Sequence, residues 1–384
     1  MVNYKMKMPS CVYGGVGSVH KLSEMVAAEN AKEVLVFTDK GVRDSGVTDF
    51  ALKVLDQCGV KYRVIDDLVP EPSVDDVQKV IDETQDMHCD LIIAVGGGST
   101  MDAAKLVSIL KGSEYRVGDL VKDPSLAVKK IRTVMVPTTC GTGSEATCNA
   151  IVALPEEKLK VGIVNDGMIP DYVILDPDLI AKLPRKIIAS SGIDALAHCV
   201  ECYTSNKANR FSDAFALEGA RLIFGSIRRA YSDPDDSEAK ANMLVGAFYG
   251  GVAITSSGTT AVHALSYPLG GTYHIAHGVS NAILLAPVMN CNLLDCADRL
   301  ADICEAVEPD FPGETETRKA RHLIDLIEEI CRFTEIPKTL GSFGVPVEDL
   351  EFLVAAGSQV TRLLNNNRKK LSLDDIRNIY RQVL

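Results

Sequence analysis

Five short apolar runs constrain this chain more than any other feature. They are AKEVLVFTDK, VKYRVIDDL, CDLIIAVGGGST, IRTVMVPTT and DYVILDPDL, all before Pro184. Stretches of helical period such as SVDDVQKVIDETQ separate several of them. Runs so rich in Val, Ile and Leu have no polar face, so they suit strands buried on both sides. Alternation with helices makes them parallel βαβ units. After Pro184 such runs stop and helical spacing continues to the end. The sequence therefore predicts an α/β dinucleotide-binding domain with a Rossmann-like parallel sheet over 1–183. An all-α domain is expected over 184–384.

Two strands run into chemistry. In LIIAVGGGSTMDAAKLV the strand meets Gly96, Gly97 and Gly98, and a helix is expected to open at Ser99 and carry Asp102. Glycines let backbone approach a ligand, and a helix N-terminus aims free N–H groups at an anion such as a pyrophosphate. In MVPTTCGTGSEAT, Thr138, Thr139, Thr142 and Ser144 place hydroxyls on a second loop. Such loops line nucleotide crevices at the carboxyl ends of strands. Asp39 ends the strand EVLVFTD. There a carboxylate can bond an adenosine ribose and repel a 2′-phosphate, favouring NAD over NADP. The glycine spacing is not G-x-G-x-x-G, so a relative of the standard layout is expected.

The second half concentrates histidine. Of seven in the chain, His263, His274 and His277 fall within HALSYPLGGTYHIAHG. Asp194 and His198, in SSGIDALAHCVECY, are four apart and share one helix face. That helix is expected to start near Ser190. The stretch MLVGAFYGGVAITSSGTTAVHAL reads as one helix delivering His263 near its end, followed by a sharp turn at Pro268, Gly270 and Gly271. Asp194, His198, His263 and His277 make a one-carboxylate, three-imidazole set suited to Fe(II) or Zn(II) with positions left open. Singly, each has a plainer role as a helix cap or surface pair. His20, His88 and His322 lack such company and read as surface or structural. Cys199 and Cys202 read as small buried residues rather than a redox pair.

Bulk properties narrow the partners. A net charge of −12, from 52 acidic and 40 basic residues, argues against nucleic acid and anionic membranes. No apolar run is long enough for a bilayer, and MVNYKMKMPS has no signal-like apolar segment. Eleven cysteines without framework spacing fit a reducing, cytoplasmic location.

The ordered set IAVGGGSTMDAAK, VPTTCGTGSEAT, LKVGIV, PDYVILDPDL, SSGIDALAHCVECY and HALSYPLGGTYHIAHG resembles the iron-containing (group III) alcohol dehydrogenases along nearly the whole chain. The resemblance implies a dehydroquinate synthase-like fold, with metal and nicotinamide meeting in a cleft between the domains. It implies a homodimer or larger homo-oligomer acting on a small aldehyde or alcohol. It places the metal on Asp194, His198, His263 and His277. It places NAD on Asp39, Gly96, Gly97, Gly98, Ser99, Asp102, Thr138, Thr139, Thr142, Asn149, Lys160 and Leu179, the last three by resemblance alone.

One departure is informative. Many members carry a second His four residues after the third metal ligand, where this chain has Tyr267. In this and in TRLLNNNRKKLSLDDIRNIYRQVL it is similar to the 4-hydroxybutyrate dehydrogenases of anaerobic bacteria. That likeness implies succinate semialdehyde and 4-hydroxybutyrate as substrates, with Arg362, Asn366 and Arg368 as candidates for the carboxylate. Lactaldehyde, 3-hydroxypropanal or sulfoacetaldehyde are the alternatives, and Tyr267 or His274 is the candidate proton relay. A dehydroquinate synthase-like lyase needs a dense basic cluster around the histidines, and none is present.

Overall fold

The computed structural model of the chain describes residues 3–157 and 159–384. Two compact units are present. One is Lys7–Leu183; the other is Pro184–Leu384 with the described residues before Lys7. The latter join the helical unit through Lys5, whose carbonyl accepts from Ser256 Oγ (3.0 Å), and Tyr4, which packs edge-on against Phe211.

The first unit is built on strands β1 (Cys11–Gly14), β2 (Glu33–Phe37), β3 (Lys61–Ile65), β4 (Leu91–Gly96), β5 (Arg132–Pro137), β6 (Asn149–Leu154), β7 (Leu159–Val164) and β8 (Tyr172–Leu175). Six of them form one sheet in the order β1-β8-β5-β4-β2-β3, and every pairing is parallel. The five apolar runs supply five of its strands. β4 shows why no polar face was visible. Its Ile92 and Ala94 feed one core with Leu35, Phe37 and Met135. Its Leu91, Ile93 and Val95 feed another with Val34, Val36, Val134 and Val136. Successive side chains point to opposite faces, and both faces are covered.

The chain goes outward from β2 to β3, then returns to β4 on the other side of β2. Strand order thus reverses between β2 and β4, the position where open α/β sheets bind ligands beyond their carboxyl ends. Asp39 follows β2 there, and Gly97 and Gly98 follow β4. β6 and β7 form a separate antiparallel hairpin that the sequence reading did not anticipate. Its residues alternate in exposure over short lengths, a weaker signal than a buried parallel strand.

The second unit is helical. The helix Arg185–Thr204 is buried from Ile188 to Thr204 except at Ser190 and Ser191, as befits a central core helix. It starts at Arg185, not near Ser190, because Pro184 suits a helix start and Ile188 and Ala189 already face the core. Two further expectations are corrected. The stretch from Met243 is not one helix: Ser237–Ser257 ends at Gly258, with φ 72°, and a new helix, Ala261–Tyr273, begins. His263 therefore stands in a first turn. The expected turn at Pro268, Gly270 and Gly271 is absent, since that helix continues through all three. A proline removes one helical hydrogen bond, and the buried Leu265 and Leu269 hold the helix in place regardless. The chain turns instead at His274, whose φ of 54° makes it the left-handed cap.

Among the described residues, no helix is long and apolar enough to cross a membrane. All eleven cysteines are free thiols. Cys199 and Cys202 are fully buried, and burial pushes the Cys199 thiol up to about 12, so it stays protonated and unreactive.

Candidate metal centre and nucleotide loops

Asp194, His198 and Glu201 recur at helical spacing along Arg185–Thr204 and share a face. His263 comes from the first turn of Ala261–Tyr273, and His277 opens the helix His277–Asn292. Gly278 lets that helix approach. A Cβ there would stand 2.4 Å from the Ser190 carbonyl oxygen, so no larger residue fits without separating the helices. One donor atom from each of Asp194, His198, His263 and His277 lies within 4.8 Å of the others. His263 Nε2 is 2.9 Å from His198 Nε2, and Asp194 Oδ1 is 3.7 Å from Nε2 of both His263 and His277.

Two imidazole nitrogens facing each other at 2.9 Å bring lone pairs together, and a carboxylate oxygen stands beside them. This donor set fits a divalent cation, with N and O ligands of the kind that hold iron or zinc. Three of the four side chains are almost fully buried, but His277 is 30 % exposed, so the cluster has one open side. Burial alone would raise the Asp194 carboxyl. The His198, His277 and His263 rings and the Asn281 amide outweigh it and hold the group below the usual carboxylate range.

Glu201 was missed by the sequence reading. Its Oε1 accepts from the backbone N–H of Thr260 (3.0 Å) and Val262 (2.8 Å) and from the Thr260 hydroxyl (2.8 Å). It thereby caps the N-terminus of the helix that carries His263. Its Oε2 bonds His263 Nδ1, which fixes the tautomer and turns the Nε2 lone pair inward. Burial opposes the Glu201 charge, but the His263 ring and the Thr260 hydroxyl keep the carboxyl below its ordinary value. The signal was available: Glu201 stands three residues after His198, on the same helix face.

Tyr267 is buried one turn beyond His263, with its ring centroid 6.4 Å from that of His277. It packs with Ala264 and Leu363, so the segment around Leu363 lies beside it. Arg362, the preceding residue, is exposed and makes no ion pair among the described residues. Arg368 bonds Asp298 (2.7 Å), and the buried Asn366 donates to the Thr259 carbonyl (2.9 Å). His274 is exposed. His20 is exposed, His88 pairs with Asp90, and His322 stacks on Phe311.

In the first unit, β4 and β5 run in register from Leu91↔Arg132 to Gly96↔Pro137, which sets their following loops side by side. The two loops touch. A Cβ on Gly98 would come within 2.8 Å of the Thr142 side chain, and one on Gly97 within 3.6 Å of Thr139. The Thr138 hydroxyl is buried without a hydrogen-bond partner. Asp39 caps the short helix Lys40–Asp44 through Val42 N–H (3.0 Å). Ser99 Oγ accepts from Glu71 N–H, and Glu71 pairs with Lys160 (2.6 Å). Leu179 lies in the core.

Asp102 is occupied internally. Its Oδ1 accepts from Ser144 Oγ and Lys105 Nζ, and its Oδ2 accepts from Ile151 N–H. Lys105 is fully buried and also reaches Ser144 Oγ, Thr147 Oγ1 and the Asn149 carbonyl. This buried cation ties the helix after the glycines to the second loop and the hairpin. No sequence spacing revealed it, because apart from Asp102 its partners are 39 to 44 residues away.

Glu145 is buried in the same loop, and burial pushes its carboxyl up to about 7. Between the ordinary value of 4.5 and 7 the folded chain binds a proton that the unfolded chain has lost. Stability contributed by that proton is full below 4.5 and declines as pH rises towards 7. Glu145→Gln is expected to remove the decline. Its stability relative to the parent should grow by roughly 1–3 kcal/mol between pH 4.5 and 8, measured by urea unfolding. An equal difference at both pH values would refute this.

The family model described as iron-containing alcohol dehydrogenase matches residues 9–177, and that described as Fe-containing alcohol dehydrogenase family, C-terminal, matches 188–384. Long-chain-alcohol dehydrogenase 1 of Geobacillus thermodenitrificans (strain NG80-2) is 37% identical, over 98% of this chain and 95% of its own. A crystal structure of 1,3-propanediol oxidoreductase superposes with a TM-score of 0.95 at 30% identity, covering 99% of this chain and 100% of that one. Sulfoacetaldehyde reductase from Bifidobacterium kashiwanohense, solved in complex with NAD+, gives a TM-score of 0.87 at 25% identity, covering 99% of this chain and 98% of that one.

Proposed function

Because this chain belongs to the iron-containing alcohol dehydrogenase family, we propose that it interconverts a small aldehyde and its alcohol with NAD(H) at a centre held by Asp194, His198, His263 and His277. The convergence of those four donors carries this reading. A bound Fe2+ or Zn2+ supplies Lewis acidity to the carbonyl oxygen, and NAD(H) supplies or accepts the hydride. The protein's part is to position and to move a proton. Glu201 orients His263. Tyr267, buried beside His277, is the nearer candidate to pass a proton to the nascent alkoxide; His274 is the other.

We assign NAD to Asp39, the turn Gly96, Gly97, Gly98 and Ser99, and the hydroxyls of Thr138, Thr139 and Thr142, with Asn149, Lys160 and Leu179 at its margins. The strand-order reversal between β2 and β4 supports this, as does the NAD+ bound to the sulfoacetaldehyde reductase. Asp102 contributes indirectly, by holding Ser144 and the hairpin. Asp39→Gly is expected to shift coenzyme preference towards NADP by about 10-fold or more, the scale of one lost charge repulsion near a phosphate. An unchanged ratio of kcat/KM for the two coenzymes would remove the ribose assignment.

For substrate we favour an aldehyde bearing a carboxylate, succinate semialdehyde, reduced to 4-hydroxybutyrate. Tyr267 supports it, as does Arg362, which precedes the Leu363 that packs on Tyr267. Arg368 and Asn366 already have partners, so Arg362 is the strongest candidate to grip the carboxylate. An anaerobic panel of aldehydes with NADH, after reconstitution with Fe(II) or Zn(II), tests this. Succinate semialdehyde should exceed propanal and 3-hydroxypropanal in kcat/KM, and Arg362→Ala should abolish the margin. Equal rates on charged and uncharged aldehydes would end the carboxylate preference.

A further inference from the structure

Asn281 stands four residues after His277, on the same face of the helix His277–Asn292, and is fully buried. Its amide nitrogen is 2.6 Å from Asp194 Oδ1 and 3.1 Å from Nε2 of both His263 and His277. Its amide oxygen is buried with no hydrogen-bond partner. An NH2 group has two protons and cannot satisfy three acceptors. Moreover, those acceptors are the lone pairs that a cation in this centre takes.

The spacing fits a different role. Donors at about 2.0–2.2 Å from one cation lie roughly 3.0–3.6 Å from each other. Asn281's terminal atom holds that spacing to two of the four donors and stands slightly closer to the third. Nitrogen and oxygen ends of an amide have the same shape, so a half-turn of the group exchanges them without displacing a neighbour. It brings the unpartnered oxygen to the place where the lone pairs converge.

We propose that Asn281 is a fifth donor of the centre, giving its side-chain oxygen to the cation. Carbonyl oxygen is an accepted ligand type for divalent ions and adds no charge beside Asp194. The role presupposes the four-residue centre proposed above. The competing role is a hydrogen-bond donor that merely steadies Asp194.

The two roles predict opposite signs for one variant. Zn(II) affinity of the full-length protein is measured by competition with a chromophoric chelator, for the parent, Asn281→Ala, Asn281→Asp and His263→Ala. Asn281→Ala should weaken binding by about 10–100-fold, the scale of a change in a metal's immediate surroundings. Asn281→Asp keeps an oxygen and adds charge, so it should bind at least as tightly as the parent. Binding by Asn281→Asp as weak as by Asn281→Ala would overturn the proposal, because a carboxylate cannot donate to Asp194 and repels it. Should Asn281→Asp fail to fold, the visible spectrum of Co(II)-loaded Asn281→Ala decides. Loss of a donor changes the band intensity, whereas a spectrum identical to the parent's overturns the role. Parent-like Zn(II) affinity in His263→Ala would instead show that the four-residue centre is wrong.

Discussion

Replacing His263 by alanine is expected to lower bound metal and aldehyde-reducing turnover together, each by about 100-fold or more, beyond the effect of an outer partner. The variant loses one of four donors. It also leaves Glu201 Oε2, fully buried, without the ring that balances its charge. Elemental analysis and NADH consumption on the same preparation measure both effects. Full turnover without bound metal would end the metal hypothesis.

Glu201→Ala has the second largest expected effect, although its side chain is not among the four donors. It strips the cap from three backbone N–H groups and the Thr260 hydroxyl, all buried, and frees the His263 ring. The expected cost is about 3–5 kcal/mol of stability, because several buried donors lose their one acceptor at once. Glu201→Gln keeps an oxygen for the helix N-terminus but loses the charge opposite His263. It should fold more stably than the alanine variant while still losing metal affinity by about 10–100-fold. Urea unfolding and chelator competition measure the two quantities separately. Parent-like stability in Glu201→Ala would contradict the capping role.

These variants also mark where the sequence was legible. The parallel strands could be read because burial on both faces leaves continuous apolar runs. The convergence of the four donors could be read because Asp194 and His198 share a helical spacing and His263 and His277 crowd one short stretch. Helix ends were less visible. Gly258 breaks a stretch of unbroken helical composition, while Pro268, Gly270 and Gly271 fail to break one, because tertiary packing overrides local propensity. Glu201, Lys105 and Asn281 stayed hidden for another reason. Each acts on groups distant in sequence, and a single Glu, Lys or Asn carries no spacing that names its partner. Glu201 and Asn281 do follow recognised donors at helical spacing, so the residues three or four after a suspected ligand repay inspection.

Metal-dependent hydride transfer at the four-donor centre is tested most directly by one anaerobic measurement. The full-length protein is stripped with a chelator, given NADH and succinate semialdehyde, and then supplied with Fe(II) or Zn(II). NADH absorbance should hold steady before the metal is added and fall afterwards. Rapid loss of NADH in the stripped protein, or none after metal and a full aldehyde panel, would contradict the account.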